Sequence, residues 1–199
     1  MQVLTLDPNA FERHAEQLAM MVAENGCKKF DALVAVRRGG AFVCDSFCRH
    51  FPEDRYGARF DVKLQRPSTK HKNGTVNRLL RCLPTSILNL MRMAESKLLS
   101  LRRNVKGRAT APKVELPEGL VSILQEANTP HILVIDDAID SGDTLFAISA
   151  ALKEINPEAE IRIAVMTETT GHPHIHADFT LYRNKTLLRF PWSNDYKHR

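Results

Sequence analysis

Six polar side chains that could bind a ligand lie within nine residues: Asp136, Asp137, Asp140, Ser141, Asp143 and Thr144. They follow a β-forming run and precede a run with helical periodicity. A helix N-terminus offers unpaired backbone N–H groups and a positive dipole, which favour an anion such as phosphate. Ser141 and Thr144 add hydroxyl donors, and Gly142 allows the backbone to approach a ligand closely. Half of this segment therefore suits a phosphate.

Asp136 and Asp137 suit a different group, because two carboxylates repel a phosphate. Carboxylates accept hydrogen bonds from vicinal hydroxyls, or hold a divalent cation that bridges to the ligand. A sugar phosphate satisfies both halves of the segment. The alternative interpretation, an acidic helix cap followed by turn residues, accounts for one aspartate and one glycine but leaves the adjacent pair unexplained. We therefore favour a sugar-phosphate site.

Two strand–turn–helix units are predicted to position these and other polar residues. The predicted elements are a helix from Pro8 to Asn25, a strand over 30–36, the turn Arg37-Arg38-Gly39-Gly40, a helix over 41–51, a strand over 131–135, a loop over 136–143, a helix over 144–155, and strands over 161–167 and 178–182. Alternating strands and helices predict an α/β fold, a Rossmann-like parallel sheet flanked by helices. Ligands bind such sheets at the carboxyl ends of the strands, where both turns lie. The tail after residue 185 is predicted to be irregular.

The charge distribution predicts an insertion into this single domain of 199 residues. Between Arg55 and Lys113 there are fifteen Lys and Arg residues against two acids, so the segment carries +13 and the rest of the chain −8. A basic helix is predicted from Pro84, over about 84–103, between polar loops. We place the inserted segment at about 55–125. Such a segment suits a phosphate-rich partner, either a small anion or nucleic acid, although a solvated basic helix is the commoner explanation.

The composition argues against membrane and secreted classes. No apolar run approaches the length of a membrane span, and the first residues lack the pattern of a signal peptide. The four cysteines form no CxxC pair, which suits a reducing compartment. We expect a cytoplasmic protein that does not bind membranes.

The run from Val134 to Thr144, VIDDAIDSGDT, resembles the phosphoribosyl pyrophosphate (PRPP) signature of the type I phosphoribosyltransferases. Upstream, VRRGG from Val36 to Gly40 resembles the pyrophosphate loop of that family, whose backbone grips pyrophosphate, here through Arg38 to Gly40 and a cis peptide. The resemblance covers roughly 31–51 and 131–192 and omits the basic insert. It implies the type I phosphoribosyltransferase fold.

The resemblance also implies a reaction and a set of roles. PRPP would lose pyrophosphate from C1 of its ribose, and a nitrogen nucleophile would add there. Mg²⁺ would neutralise the pyrophosphate, and Asp136 with Asp137 would hold the ribose hydroxyls or the metal. Asp140 is the candidate general base or steadies the ring proton of the acceptor; alternatively, it caps the turn. The implied PRPP-binding residues are Asp136, Asp137, Ala138, Ile139, Asp140, Ser141, Gly142, Asp143 and Thr144, and the pyrophosphate-binding residues are Arg37, Arg38, Gly39 and Gly40.

The tail TLLRFPW, from Thr186 to Trp192, resembles the ending of the xanthine–guanine phosphoribosyltransferases, which lies over a purine. This resemblance implies a nucleobase-like acceptor, purine-like by preference, bound by Glu168, Leu187 and Leu188. Aligned on Gly171-His172-Pro173, Glu168 occupies the position of a lysine that reads a 6-oxo group. Glutamate accepts hydrogen bonds from an amine but repels a carbonyl, so an amino-substituted acceptor is an open alternative.

Two hypotheses for the whole protein follow. The first is a PRPP-dependent phosphoribosyltransferase, a homo-oligomer, whose loop from Lys63 to Arg81 closes over the site. The 84–103 helix would then form a dimer contact, a cover for the acceptor or a partner surface. The second is a regulator that senses PRPP or nucleotides without turnover and binds nucleic acid through the basic insert. Turnover of PRPP distinguishes the two.

Overall fold

A computed structural model describes residues 2–26, 29–65, 113–183, 186–193 and 195–196. The strands are β1 (Gln2–Thr5), β2 (Phe30–Val36), β3 (Tyr56–Gln65), β4 (Lys113–Glu115), β5 (His131–Ile139), β6 (Glu160–Glu168), β7 (Phe179–Arg183) and β8 (Thr186–Arg189). The helices are α1 (Pro8–Asn25), α2 (Gly39–His50), α3 (Glu118–Glu126) and α4 (Asp143–Ile155), with a 3₁₀ turn over Glu53–Arg55. Within these ranges, no helix has the length and apolar composition that crossing a membrane requires.

The helix α1 has the bounds that the sequence predicts. Its N-cap is Asp7, whose Oδ1 accepts a hydrogen bond of 2.7 Å from the backbone N–H of Ala10. Pro8 fits the first helical position because the N–H it lacks would have no partner there. The helix ends at Asn25, where the Gly26 N–H donates to the carbonyl of Val22.

Six strands form the main sheet in the order β4-β3-β2-β5-β6-β7. All neighbouring strands pair in parallel except β3 and β4, which are antiparallel. The central strands β2 and β5 are buried on both faces, as helices on both sides of a parallel sheet require. One apolar cluster packs α1 and α2 on one face, and a second packs α3 and α4 on the other. This arrangement confirms the predicted α/β fold.

Several sequence-based boundaries need correction. The strands β3 and β4 and the helix α3 lie within the predicted insert of 55–125, yet they belong to the main sheet and its covering layer. The strand β5 continues to Ile139, so Asp136 and Asp137 lie on a strand and not in a loop. The tail was predicted to be irregular, but it contains the strand β8, which pairs in parallel with β1. Neither of these two strands was predicted. The predicted helix at 84–103 and most of the predicted closing loop lie outside the described residues.

Candidate active site

A cleft of about 1780 Å³ opens at the carboxyl ends of β2, β3, β5 and β6. All nine predicted PRPP-binding residues, from Asp136 to Thr144, line it. Arg37, Arg38 and Gly39 line the same cleft, as do Leu187 and Leu188 from the tail. The structure therefore brings together three segments that are far apart in sequence. Gly40 and Glu168 are not among the lining residues, and each has a different position, described below.

The turn after β2 packs directly against the end of β5. The peptide between Arg37 and Arg38 is cis, as the resemblance implies. A Cβ atom on Gly39 would overlap the carboxylate of Asp137. A Cβ atom on Gly40 would lie 2.5 Å from the carbonyl oxygen of Ile135. Only glycine permits this approach, which explains the two adjacent glycines.

Asp136 and Asp137 are adjacent residues near the end of β5, just before the loop that is predicted to bind phosphate. Asp136 is buried, with 8% exposure, and its Oδ1 accepts a hydrogen bond of 2.8 Å from the Asp137 N–H. Burial raises the pKa of Asp137. Its interactions with Asp136 and the backbone of Ala138 partly oppose this rise, and the charge of Asp140 adds to it. The folded protein therefore disfavours the charged form of the Asp137 carboxylate when no ligand or cation is bound to it.

The segment from Ser141 to Thr144 leads into α4, which begins at Asp143. Gly142 has a φ of 81°, in the left-handed region, and a Cβ there would lie 2.9 Å from the backbone nitrogen of Ile175. The Asp143 N–H donates to the Ser141 Oγ at 3.3 Å. The His174 N–H donates to the Ser141 carbonyl at 2.7 Å, which ties this loop to the segment after β6. The first turn of α4 therefore presents its N-terminus to the cleft from a fixed loop.

A row of alternating charges, on the turn after β2, on α2 and on β3, also lines the cleft, and of its members the sequence analysis identified only Arg37. Arg37 Nε donates to Asp61 Oδ2 at 3.2 Å. Arg59 pairs with Asp61 at 3.4 Å and also with Asp45. The alternation of Phe60, Val62 and Leu64 with charged residues was the available signal, since it is typical of a strand with one apolar face.

Leu187 and Leu188 line the cleft from β8, whose position depends on buried contacts of the tail. Arg189 is 1% exposed; its Nε donates to Asp195 Oδ2 at 2.9 Å and its guanidinium to Thr5 Oγ1 at 3.0 Å. The rings of Phe42, Trp192 and Phe190 stack in sequence with centroid separations of 4.8 Å, and Phe42 and Phe190 line the cleft. The wall of the cleft formed by this tail is apolar and is held by buried contacts.

Glu168 does not reach the cleft. On β6 the flanking residues Thr167 and Thr169 line it, and because side chains alternate along a strand, Glu168 points to the other face. Its carboxylate pairs with His176 at 2.7 Å and Arg183 at 2.9 Å. The predicted contact between Glu168 and the acceptor is therefore not supported by this geometry, although the predicted positions of Leu187 and Leu188 are compatible with one.

The aspartate pair suits Mg²⁺ that is shared with a substrate. Among the residues that the structure describes, no three His, Cys, Asp or Glu side chains form a cluster that could hold a metal alone. Mg²⁺ commonly keeps several waters and binds through one or two carboxylates together with substrate phosphates. Asp136 and Asp137, next to the glycine turn, offer this type of donor set.

Comparisons with known proteins agree with this geometry. A family model described as the phosphoribosyl transferase domain matches residues 5–194. No curated protein matches the sequence at a significant level.

The fold is similar to that of several solved structures. A purine phosphoribosyltransferase from Pyrococcus horikoshii has 16% identity and a TM-score of 0.57, covering 96% of this chain and 95% of that one. A xanthine-guanine-hypoxanthine phosphoribosyltransferase from Helicobacter pylori has 17% identity and a TM-score of 0.56, covering 96% and 93%. A hypothetical protein from Neisseria gonorrhoeae with bound ppGpp has 18% identity and a TM-score of 0.56, covering 96% and 89%.

Proposed function

The chain belongs to the phosphoribosyl transferase domain family and is a PRPP-dependent pentosyltransferase; from this premise, we propose that it transfers the 5-phosphoribosyl group of PRPP to a purine-like base and releases pyrophosphate. One observation carries the proposal. The glycine turn after β2 packs against the aspartate pair of β5 in the same cleft that receives the N-terminus of α4. In this arrangement, sites for two anions would flank a site for sugar hydroxyls.

The PRPP side of the cleft, which we define as 37–40 and 136–144, would hold the donor. Backbone N–H groups at the start of α4, with the Ser141 and Thr144 hydroxyls, would bind the 5-phosphate. Asp136 and Asp137 would accept hydrogen bonds from the ribose hydroxyls, which would relieve the cost of charging Asp137. The turn from Arg37 to Gly40 would bind pyrophosphate. Mg²⁺ on the aspartate pair would neutralise charge on the leaving group.

The bond changes follow from these positions. The C1–O bond of PRPP breaks, and pyrophosphate leaves with the electron pair. A lone pair on a ring nitrogen of the acceptor forms the new N–C1 bond. The proton on that nitrogen passes to the exposed carboxylate of Asp140, which lines the cleft at the end of β5.

The acceptor side of the cleft, which we define as Leu187, Leu188 and Phe190, would hold the base. A planar heterocycle fits against apolar side chains whose backbone belongs to a paired strand. Two of the structural neighbours are purine phosphoribosyltransferases, which supports a purine-like acceptor. Because Glu168 faces away from the cleft, the choice between oxo- and amino-purines would fall to other groups.

The direct test is incubation with PRPP and Mg²⁺ against a panel of purine and pyrimidine bases, with pyrophosphate release measured and products identified by mass. A new ribonucleotide confirms transfer and names the acceptor. PRPP binding without release on any base would contradict the proposal. Sedimentation of the same samples tests the expected homo-oligomer.

A second candidate is a regulator that senses nucleotides and binds nucleic acid through the basic insert. The Neisseria gonorrhoeae neighbour was solved with ppGpp bound, which supports nucleotide binding by this fold. The +13 segment between Arg55 and Lys113 suits a polyanion. Salt-dependent binding of RNA or DNA that PRPP or ppGpp alters, in the absence of transfer, would favour this candidate.

A further inference from the structure

Thr169 makes a short hydrogen bond to Asp140 in the cleft. Its Oγ1 lies 2.5 Å from Asp140 Oδ1 and 3.2 Å from the carbonyl oxygen of Ile139. Thr169 is 7% exposed, and both it and Asp140 line the cleft. A hydroxyl that donates to a carboxylate forms a charge-assisted hydrogen bond.

The sheet fixes the position of Thr169. β5 and β6 pair in parallel with Ile139 opposite Glu168, so the next residues of the two strands, Asp140 and Thr169, leave the sheet together. The Thr169 N–H donates to the Ile139 carbonyl at 2.9 Å, which extends the ladder by one bond. Backbone pairing between the ends of β5 and β6 therefore positions the Thr169 hydroxyl.

The contact with Thr169 distinguishes the two oxygens of the Asp140 carboxylate. The hydroxyl proton of Thr169 is donated to Oδ1. This hydrogen bond directs Oδ2 of the exposed side chain to the acceptor, whose proton it takes. After that transfer Oδ1 is the carbonyl oxygen of the acid and can still accept the same hydrogen bond, and the Thr169 hydroxyl can also turn to the Ile139 carbonyl.

We propose that Thr169 is a positioning residue that orients Asp140 for proton transfer from the acceptor. The inference rests on the proposed function, because it assigns Asp140 to the acceptor. It predicts a defect in the chemical step and not in donor binding, since the Thr169 hydroxyl contacts the Asp140 carboxylate and not the groups proposed to bind the two phosphate-bearing ends of PRPP.

The test compares Thr169→Val, which keeps the shape and the backbone hydrogen bond but removes the hydroxyl, with Thr169→Ser, which keeps the hydroxyl. The control is Thr170→Val, the same substitution at the next residue, which does not line the cleft. We expect Thr169→Val to lower kcat about tenfold, the effect of one hydrogen bond to a charged group. PRPP affinity by calorimetry should not change, and Thr169→Ser should restore kcat to within about threefold of wild type.

Equal kcat values for wild type and Thr169→Val, or equal losses in the Val and Ser variants, would overturn the inference while leaving the transfer activity established. A wild-type protein that transfers to no acceptor would overturn the proposed function, and the role of Thr169 with it. Thermal unfolding of each variant separates a folding defect from a catalytic one, and an unfolded Thr169→Val would be replaced by Thr169→Ala for the same comparison with serine.

Discussion

On the PRPP side of the cleft, the turn after β2 packs so closely against the end of β5 that glycine is required. On the acceptor side, by contrast, the wall is a two-stranded sheet formed by β1 and β8. The first side depends on local sequence, because each turn follows its own strand within a few residues. The second depends on pairing between residues almost the whole chain apart. Changes on the PRPP side should therefore affect donor binding, and changes on the acceptor side should affect stability and use of the base.

The largest expected effect is on the PRPP side. Replacing Asp136 and Asp137 together with asparagine removes both carboxylates while keeping their shape. We expect PRPP affinity to fall by about 100-fold or more, since hydrogen bonds to charged groups contribute about 1.5–3 kcal/mol each. Calorimetric titration with PRPP and Mg²⁺ measures it. Unchanged affinity in a folded variant would remove the assignment of the donor site.

Gly39→Ala should separate close packing from charge. The added Cβ would overlap the Asp137 carboxylate, so either the turn or the aspartate must move. We expect PRPP affinity to fall about tenfold, with every charge kept. Gly119→Ala on α3 is the matched control, because its Cβ would meet only the ring of Phe60, at 3.0 Å. Similar PRPP affinities for the two variants would show that the packing of Gly39 is not needed.

Arg189→Met should affect the acceptor side alone. It leaves Asp195 buried without its guanidinium partner, and breaking a buried pair in this way costs about 3 kcal/mol or more. We expect a lower melting temperature and a raised KM for the base at unchanged PRPP affinity. Arg162→Met, which breaks the exposed pair with Asp178, should change stability by about 1 kcal/mol or less. A parallel loss of PRPP affinity in Arg189→Met would show that the two sides are not independent.

Asp137→Asn should stabilise the ligand-free protein at neutral pH. Burial raises the pKa of Asp137, so its protonated form is favoured in the folded state. The stability that the protonated Asp137 contributes is fully present below its ordinary pKa of 3.8, and it is lost as the pH rises through the raised pKa of the folded state. The variant should therefore exceed wild type in unfolding free energy at pH 7, and the difference should shrink toward pH 3.8.

Saturating PRPP should reverse that order at pH 7, because the ligand stabilises only the protein that binds it. Denaturant titrations with and without PRPP measure both effects. A variant less stable than wild type at pH 7 without ligand would contradict the claim that Asp137 is held at a cost.

The smallest effect on activity is expected at Glu168. Glu168→Gln and Glu168→Lys should change kcat/KM for each acceptor by no more than about threefold, because the side chain faces away from the cleft. Both should lower stability, since they leave Arg183 and His176 without their buried partner. A switch of acceptor preference in Glu168→Lys would mean that this side chain reaches the base after all.

The sequence was informative where a feature is local. The cap at Asp7 and the apolar face after it predicted α1, and the aspartates, hydroxyls and glycine at the end of β5 singled out residues that line the cleft. The strands β1 and β8 were missed because each has four residues and is stabilised mainly by its distant partner. The strand β3 was missed because it begins the segment that the charge count assigned to the insert. The position of Glu168 could not be predicted because the face to which it points depends on where β6 ends relative to β5, which only the paired sheet defines.

The pairing of β1 with β8 also orders events during synthesis. Residues 2–5 are translated long before their partners at 186–189. The PRPP side is complete once His174, which binds the Ser141 carbonyl, has left the ribosome. The acceptor wall must wait for β8, so a nascent protein would become able to hold a donor before it can receive a base.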